Sequence, residues 1–523
     1  MDYDYALVGG GVVAGGLMLN FIRNAIKETP GTQEPSHGNV KGGAAIAETL
    51  AEVETAGLTS KRPGGFFIAE VAGNKKAGVL LRFQQETGCL VFGGPRTGKG
   101  LGFVIPTLLD RTRDTEESLL VFDPAAQNVH VAGPYLQEIG YHVTYSNLSG
   151  KFGATLLKNF GAPVRMNPLG AVDIDAEHAD LNISEVAAVL VPLSEADKSP
   201  FFAGTAQQLV AGIAIFLRET QGATATWVQV GEWVHKPAGA LNELFARMLK
   251  ESTFACVRDT AALWLLEIDE RTKLLKTMTQ SMIDVLTTAR KELGFLSNKS
   301  IAKMFSGHSD DADAFDFSIM KSTRAAYFLV LPDAESEALR KCSYLVLRTA
   351  KNALTTPGGF TVLWLLDEMC SSLPAGAAAL IRDSAAAIGK YRLRIGGVCQ
   401  SWAQFENWSG GKTQADALRS MFGACIYYGA NDNTSIKHIM EECGHYTVWQ
   451  PASNPLHAEG IDGNSGPLGV PLFQPEDIRA MIAEKKQLVN LIGSRKAVLL
   501  PRSSYLDVPA LKSRAAVDPY HLN

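Results

Sequence analysis

Short apolar runs alternate with amphipathic stretches over most of the 523 residues, and this texture predicts strands and helices in turn. Phe66–Ala69, Gly78–Phe83, Cys89–Phe92, Ser118–Asp123 and Tyr141–Tyr145 read as strands, with helices opening after Gly98 and near Val129–Ile139. Such alternation specifies a doubly wound α/β sheet. From about Asp175 to Asp311 the period changes to that of helices. Ala206, Leu209, Val210, Ile213, Ala214 and Leu217 fall on one helical face behind a Ser199-Pro200 cap. Further helices are expected near Leu241–Leu249, Thr260–Glu267 and Arg271–Leu293. The sheet pattern then resumes at Ala325–Pro332, Phe360–Leu366, Arg394–Ser401, Ala424–Tyr428, Gln487–Ile492 and Ala497–Leu500, with a helix over Ser336–Leu354 and a turn at Ser494–Lys496. Gln450–Pro471, rich in Gly, Pro and Asn, reads as a mobile loop.

At the N-terminus, Tyr5–Ile22 is uncharged and mostly apolar, near the lower length limit of a membrane span. Asp2 and Asp4 precede it while Arg23 and Lys27 follow, an asymmetry that places the C-terminal side in the cytoplasm. Gly11 and Gly15 stand at small-xxx-small spacing. A signal peptide fits less well, because the flank is acidic. Asp4–Ala14 also resembles the strand and glycine turn of a dinucleotide site, but the second strand with its acidic end is missing, and Glu28–Pro35 reads as linker. A short soluble helix is the third reading.

The chemistry concentrates at two apolar runs. Behind Cys89–Phe92 comes Gly93-Gly94-Pro95-Arg96-Thr97-Gly98-Lys99-Gly100-Leu101, the phosphate-loop spacing G-x-x-x-x-G-K. Glycines let successive N–H groups converge on phosphate oxygens, the following helix directs its positive end at the same anion, and Lys99 adds a mobile charge. Gly100 stands where a hydroxyl usually helps hold Mg²⁺, so the metal must draw on Thr97, water or a distant acid. The run Phe360–Leu366 ends in Asp367-Glu368, which would present Asp367 to Mg²⁺ and Glu368 to the attacking water. Gln400, closing another strand, either senses the terminal phosphate or is a satisfied core amide.

Composition narrows the partners. A net charge of −5 excludes a wholly basic DNA-coating protein, so nucleic-acid contact would need a local patch or pore lining. Seven scattered cysteines without a C-x-x-C read as reduced core residues and form no zinc site.

In this order the motifs resemble the type IV secretion coupling proteins, the TraG/TraD class of conjugation ATPases, over roughly residues 64–510. The likeness rests on Gly94–Leu109, Asp123-Pro124, Leu365–Glu368, Gln400–Phe405, Arg419–Phe422, Asn431-Asp432 and Leu472–Ile482. Gly100 is then a family trait. The family usually continues Asp-Pro with Lys and an acid, where this chain has Ala125-Ala126-Gln127. A trans-acting cation is spread over Lys390, Arg392 and Arg394. Many members carry two membrane helices around a periplasmic domain, whereas this chain has room for one span at most.

The resemblance implies a RecA-like P-loop NTPase core using ATP and Mg²⁺, assembled as a homo-hexamer on the cytoplasmic face of a bacterial inner membrane. It would feed DNA with bound relaxase and relaxosome proteins, or protein effectors, into a secretion channel. The expected layout is a membrane anchor at 1–29, a linker at 30–62, core at 63–174 and 312–523, and an inserted all-α domain at 175–311. That insert is either a substrate contact or a solvated lid. Three rival functions remain: another DNA-translocating motor, a nucleotide-gated recruitment platform for protein effectors, and an oxidoreductase built on the N-terminal glycines.

Overall fold

The computed structural model describes residues 44–47, 49–71, 78–193, 200–272, 274–308, 311–332, 336–386, 388–450, 466–494 and 496–521. The apolar stretch Tyr5–Ile22, the linker up to residue 43 and Ser199 lie outside the described residues.

The strands that build the two units are, in chain order, β1 (Ala45–Ile46), β2 (Gly88–Phe92), β3 (Glu117–Pro124), β4 (His142–Asn147), β5 (Ala325–Leu331), β6 (Thr361–Leu366), β7 (Leu393–Cys399), β8 (Phe422–Tyr427), β9 (Lys486–Leu491) and β10 (Lys496–Pro501). The chain divides into two compact units.

The first unit comprises residues 44–115, 396–407 and 412–515. Its strand order is β1-β10-β9-β8-β2-β7. β2 lies between parallel partners, Gly396–Cys399 of β7 and Phe422–Tyr427 of β8, while β8-β9 and β9-β10 are antiparallel. A strand paired on both edges and covered on both faces must be apolar throughout, and Cys89, Leu90 and Val91 are fully buried. A three-stranded antiparallel sheet of Leu58–Thr59, Val79–Phe83 and Phe66–Val71 supplies Phe66, which stacks on Phe103 behind the phosphate loop.

The second unit comprises residues 116–395, 408–411 and 516–521. Its strands run β6-β3-β5-β4, all parallel. The same unit contains helices Ala179–Leu190, Pro200–Gln221, Trp227–Val234, Ala238–Glu251, Ala255–Trp264, Gln280–Leu293 and Lys299–Met304. The apolar face read along Ala206–Leu217 is buried. Phe201–Thr224 is, among the described residues, the one helix long and apolar enough to cross a membrane by length and composition.

Several elements differ from the sequence reading. The helix expected over Arg271–Leu293 begins only at Gln280, where Thr279 caps it by accepting from Met282 N–H. Upstream, the Asp269 carboxylate accepts from the Arg271 and Thr272 N–H groups, and Ile268 bridges to Leu275. An Asp side chain that captures nearby amides competes with helix formation. The helix expected over Thr260–Glu267 occupies Ala255–Trp264 instead. Residues 45–59, read as linker, carry β1 and a helix Leu50–Thr55 capped by Thr49. The flanks of the Gln450–Pro471 loop form an antiparallel hairpin, His445–Gln450 against Gly466–Pro471. No disulfide joins any of the seven cysteines, and only Cys256 is exposed.

Candidate nucleotide site

In the first unit the chain leaves β2 into Gly93–Lys99, where glycines answer a tight path. The Gly93 N–H donates to the Cys399 carbonyl at 3.2 Å. A Cβ at Gly93 would lie 2.7 Å from Thr97 Oγ1. Gly98 holds φ +83°, and a Cβ there or at Gly100 would meet no atom within 4 Å. The loop backbone is therefore bare on that side, a shape that admits a phosphate. Thr97 Oγ1 donates to the Gly94 carbonyl at 2.8 Å. Lys99 Nζ donates to the carbonyls of Gly93 (2.6 Å) and Gly94 (3.0 Å), so the buried ammonium is held inside the loop it serves.

The helix that follows, Gly100–Leu109, starts with a wide turn in which the Ile105 N–H reaches the Gly100 carbonyl. Pro106 explains the winding: it has no N–H and its ring would clash with the carbonyl of residue 102 in a regular helix. Gly102 fits the same turn against the Tyr428 hydroxyl, where a Cβ would stand 2.9 Å from the oxygen.

Gln400 lies one residue beyond β7. Together with Gly93, Gly94, Thr97, Trp402 and Asp432 it lines a cavity of about 330 Å³ at the carboxyl ends of β2, β7 and β8. The cavity floor is aromatic. Phe92 packs on Tyr427, Trp402 and Phe405 with ring centres 5.5 to 5.6 Å apart. Beneath it lies a buried polar cluster of which the sequence marked only Arg419, in the Arg419–Phe422 stretch, and gave it no role. Arg419 pairs with Glu442, which also accepts from the Tyr427 hydroxyl, and His438 stacks flat on Trp402. Burial, aided by the charges of Arg419 and Lys412, lowers the His438 pKa to about 3. Arg419 closes helix Lys412–Arg419 and Glu442 lies near the end of helix Asn433–Cys443, so the ion pair ties two separate helices together.

In the second unit, β6 ends at Leu366 and presents Asp367 and Glu368. Glu368 sits in the left-handed region at φ 53°. Ser371 and Ser372 N–H groups donate to its carbonyl. Beside β6, Asp123 at the end of β3 is fully buried and accepts from Asn128 N–H (3.0 Å) and Val129 N–H (2.8 Å). Burial pushes its pKa up to about 7 against the pull of those bonds, and the neighbouring Asp367 carboxylate adds to the rise. The sequence did not single out Asp123 as a site carboxylate, although an apolar run ending in an acid was the same signal that marked Asp367.

Four of the seven non-glycine residues with positive φ among the described residues lie at these turns: Arg96, Ala125, Ala126 and Glu368. Each costs roughly 1–2 kcal/mol, a concentration of strain typical of functional turns. Among the described residues no group of three or more His, Cys, Asp or Glu side chains could enclose a metal. The donor set suits Mg²⁺, which takes one or two carboxylates and completes its shell with phosphate oxygens and water.

The three basic candidates separate clearly. Arg394 is buried in β7 and paired with Glu117 at 3.4 Å. Lys390 and Arg392 are exposed, with Lys390 over the Tyr391 ring and Arg392 donating to the Gly359 carbonyl at 2.8 Å.

A family model described as type IV secretory system conjugative DNA transfer matches residues 48–521. Among solved structures the chain is similar to the plasmid coupling protein TrwB in complex with the ATP analogue ADPNP, at TM-score 0.60 and 15% identity over 90% of this chain and 96% of that one. TrwB with ADP and Mg²⁺ gives 0.58 and 15% over the same shares. The unbound form of TrwB, described as a bacterial conjugative coupling protein, gives 0.59 and 15% over 90% and 94%. No match was found among curated proteins. At this identity the likeness shows the fold: a RecA-like P-loop NTPase.

Proposed function

The chain belongs to the type IV secretory system conjugative DNA transfer family, and from that premise we propose that it is an ATP-hydrolysing coupling protein. It would recruit relaxase-bound DNA, or protein substrates, and drive their transfer into a membrane channel. The observation that carries this reading is the phosphate loop, with bare glycine backbone around a buried lysine, at the carboxyl edge of a RecA-like sheet.

The roles follow from chemistry. Lys99 Nζ would exchange its two carbonyl partners for terminal phosphate oxygens, while the amides of Gly94–Leu101 hold the phosphate chain. Asp367 would ligate Mg²⁺ and Glu368 would accept hydrogen bonds from the attacking water. Gln400, on the cavity wall, would orient that water or the terminal phosphate. Bound Mg²⁺·ATP supplies the transferable phosphoryl group and neutralises its charge. Lys390 or Arg392, both exposed, would reach a neighbouring subunit's nucleotide. Arg394 is a poorer candidate because its charge is already used. We further propose a homo-hexamer at the bacterial inner membrane with most of the chain cytoplasmic, a core of residues 63–174 and 312–523, and a helical insert at 175–311 that meets cargo.

The test is ATP turnover by the full chain with and without single- and double-stranded DNA, beside Lys99→Ala, Glu368→Gln and chelation of Mg²⁺. DNA-stimulated turnover lost in both variants and in chelator supports a DNA motor. Lys99-dependent turnover indifferent to DNA supports delivery of protein cargo. Turnover absent in the wild type, or unaffected by Lys99→Ala, refutes the ATPase reading.

A further inference from the structure

The turn that follows Asp123 is strained and is held by a segment from the other end of the sequence. Ala125 and Ala126 are both left-handed, at φ 71° and 61°, a conformation that alanine avoids. The Ala125 N–H is fixed by the Leu331 carbonyl at 3.1 Å. Its carbonyl accepts from the Tyr520 hydroxyl at 2.9 Å. One residue after the pair, Gln127 Nε2 donates to Asp518 Oδ2 at 2.8 Å. Asp518 is buried and its other oxygen accepts from the Tyr520 N–H at 2.9 Å, which fixes the tyrosine backbone. The Tyr520 ring meets Phe152 edge-on at 6.0 Å, and the Ala516 N–H donates to the Val131 carbonyl. Residues 516–521 thus grip the first turn of helix Gln127–Glu138 and the two alanines before it.

The grip reaches the strand-end carboxylates of the second unit through Asp123. Both of its carboxylate oxygens are spent on the Asn128 and Val129 amides, which stay in place only while the turn keeps its shape. β3 and β6 pair in parallel with Phe122 in register with Leu366, so Asp367 leaves the neighbouring strand beside Asp123. We propose that Tyr520 and Asp518 are positioning residues for the Mg²⁺-binding carboxylate. They hold the left-handed Ala125-Ala126 turn, the turn holds Asp123, and Asp123 sets the place of Asp367. This rests on the ATPase reading only for the role of Asp367. The grip itself is a property of the chain.

The experiment uses the full chain with Tyr520→Phe, which removes one hydroxyl and keeps the ring. In metal-free protein, amide exchange at Asn128 and Val129 is expected to rise about five-fold, the weight of one hydrogen bond. The Mg²⁺ concentration giving half-maximal turnover should rise by a similar factor, with KM for ATP at saturating Mg²⁺ unchanged. Ala125→Gly, which makes the left-handed conformation free of cost, should restore both values in the Tyr520→Phe background. Unchanged exchange at Asn128 and Val129 overturns the grip. Faster exchange with unchanged Mg²⁺ dependence overturns the positioning role, as does a failure of Ala125→Gly to rescue. Wild-type protein without Lys99-dependent turnover refutes the ATPase reading instead, while the exchange measurement still decides the grip.

Discussion

Arg419→Met isolates the polar cluster under the candidate nucleotide cavity. The guanidinium is buried, pairs with Glu442, and donates to the Phe422 carbonyl at 2.8 Å. Methionine keeps the apolar stem and removes the charge, so the loss is electrostatic rather than a packing void. Glu442 would retain the Tyr427 hydroxyl but face a buried site without a counter-ion. Removing one member of a buried pair costs about 3–5 kcal/mol. The stranded Phe422 carbonyl belongs to the same loss. The double variant Arg419→Met, Glu442→Gln removes both charges, and its amide oxygen can still accept from Tyr427. It should recover about 2–3 kcal/mol of that loss, a coupling in the range expected for residues in one network. Urea unfolding followed by circular dichroism measures all four corners of the cycle. Because Tyr427 and Trp402 line the cavity, the single variant should also raise KM for ATP, and the double variant should bring it back. A single-variant loss below about 1 kcal/mol, or a double variant no better than the single, would refute the reasoning.

Three further outcomes follow from the same packing. Gly102→Ala places a Cβ 2.9 Å from the Tyr428 hydroxyl and 3.2 Å from the Ser503 carbonyl, and should lower stability by about 1–3 kcal/mol, read as a drop in thermal midpoint. The His438 imidazole titrates near 3 when folded and near its ordinary value when unfolded, so the unfolded chain binds the extra proton between them. The stability this contributes is complete above about pH 6.5 and is lost as pH falls toward 3. Unfolding free energies between pH 7 and 5 should therefore fall more steeply in the wild type than in His438→Phe, by up to about 1.4 kcal/mol per pH unit. Arg394→Met should destabilise the fold by breaking the Glu117 pair, whereas Lys390→Ala and Arg392→Ala should leave the unfolding midpoint near wild type. A loss of turnover in either of the latter two, cured by mixing with active-site-dead Lys99→Ala subunits, would identify the cation that acts across the subunit boundary.

The sequence by itself determined what local chemistry and periodicity can carry. Gly93–Lys99 has no other economical use for its spacing, and the apolar runs of β2, β3 and β6 must be doubly covered strands because no face of them is polar. The acids after those runs fall at strand ends by the same rule. Local pattern also misled where a side chain outbid the helix, as Asp269 did before Gln280. Tertiary structure alone decided which distant groups share an environment. It buried Arg394 against Glu117 while leaving Lys390 and Arg392 exposed, three neighbours that the sequence could not rank. It set Arg419 on Glu442 beneath Trp402, and Tyr520 on the turn after Asp123. The physical reason is common to these cases. Periodicity records which face of an element is buried, but charge pairing, desolvation and the support of a strained turn depend on which other element arrives there, and that is a property of the packed chain.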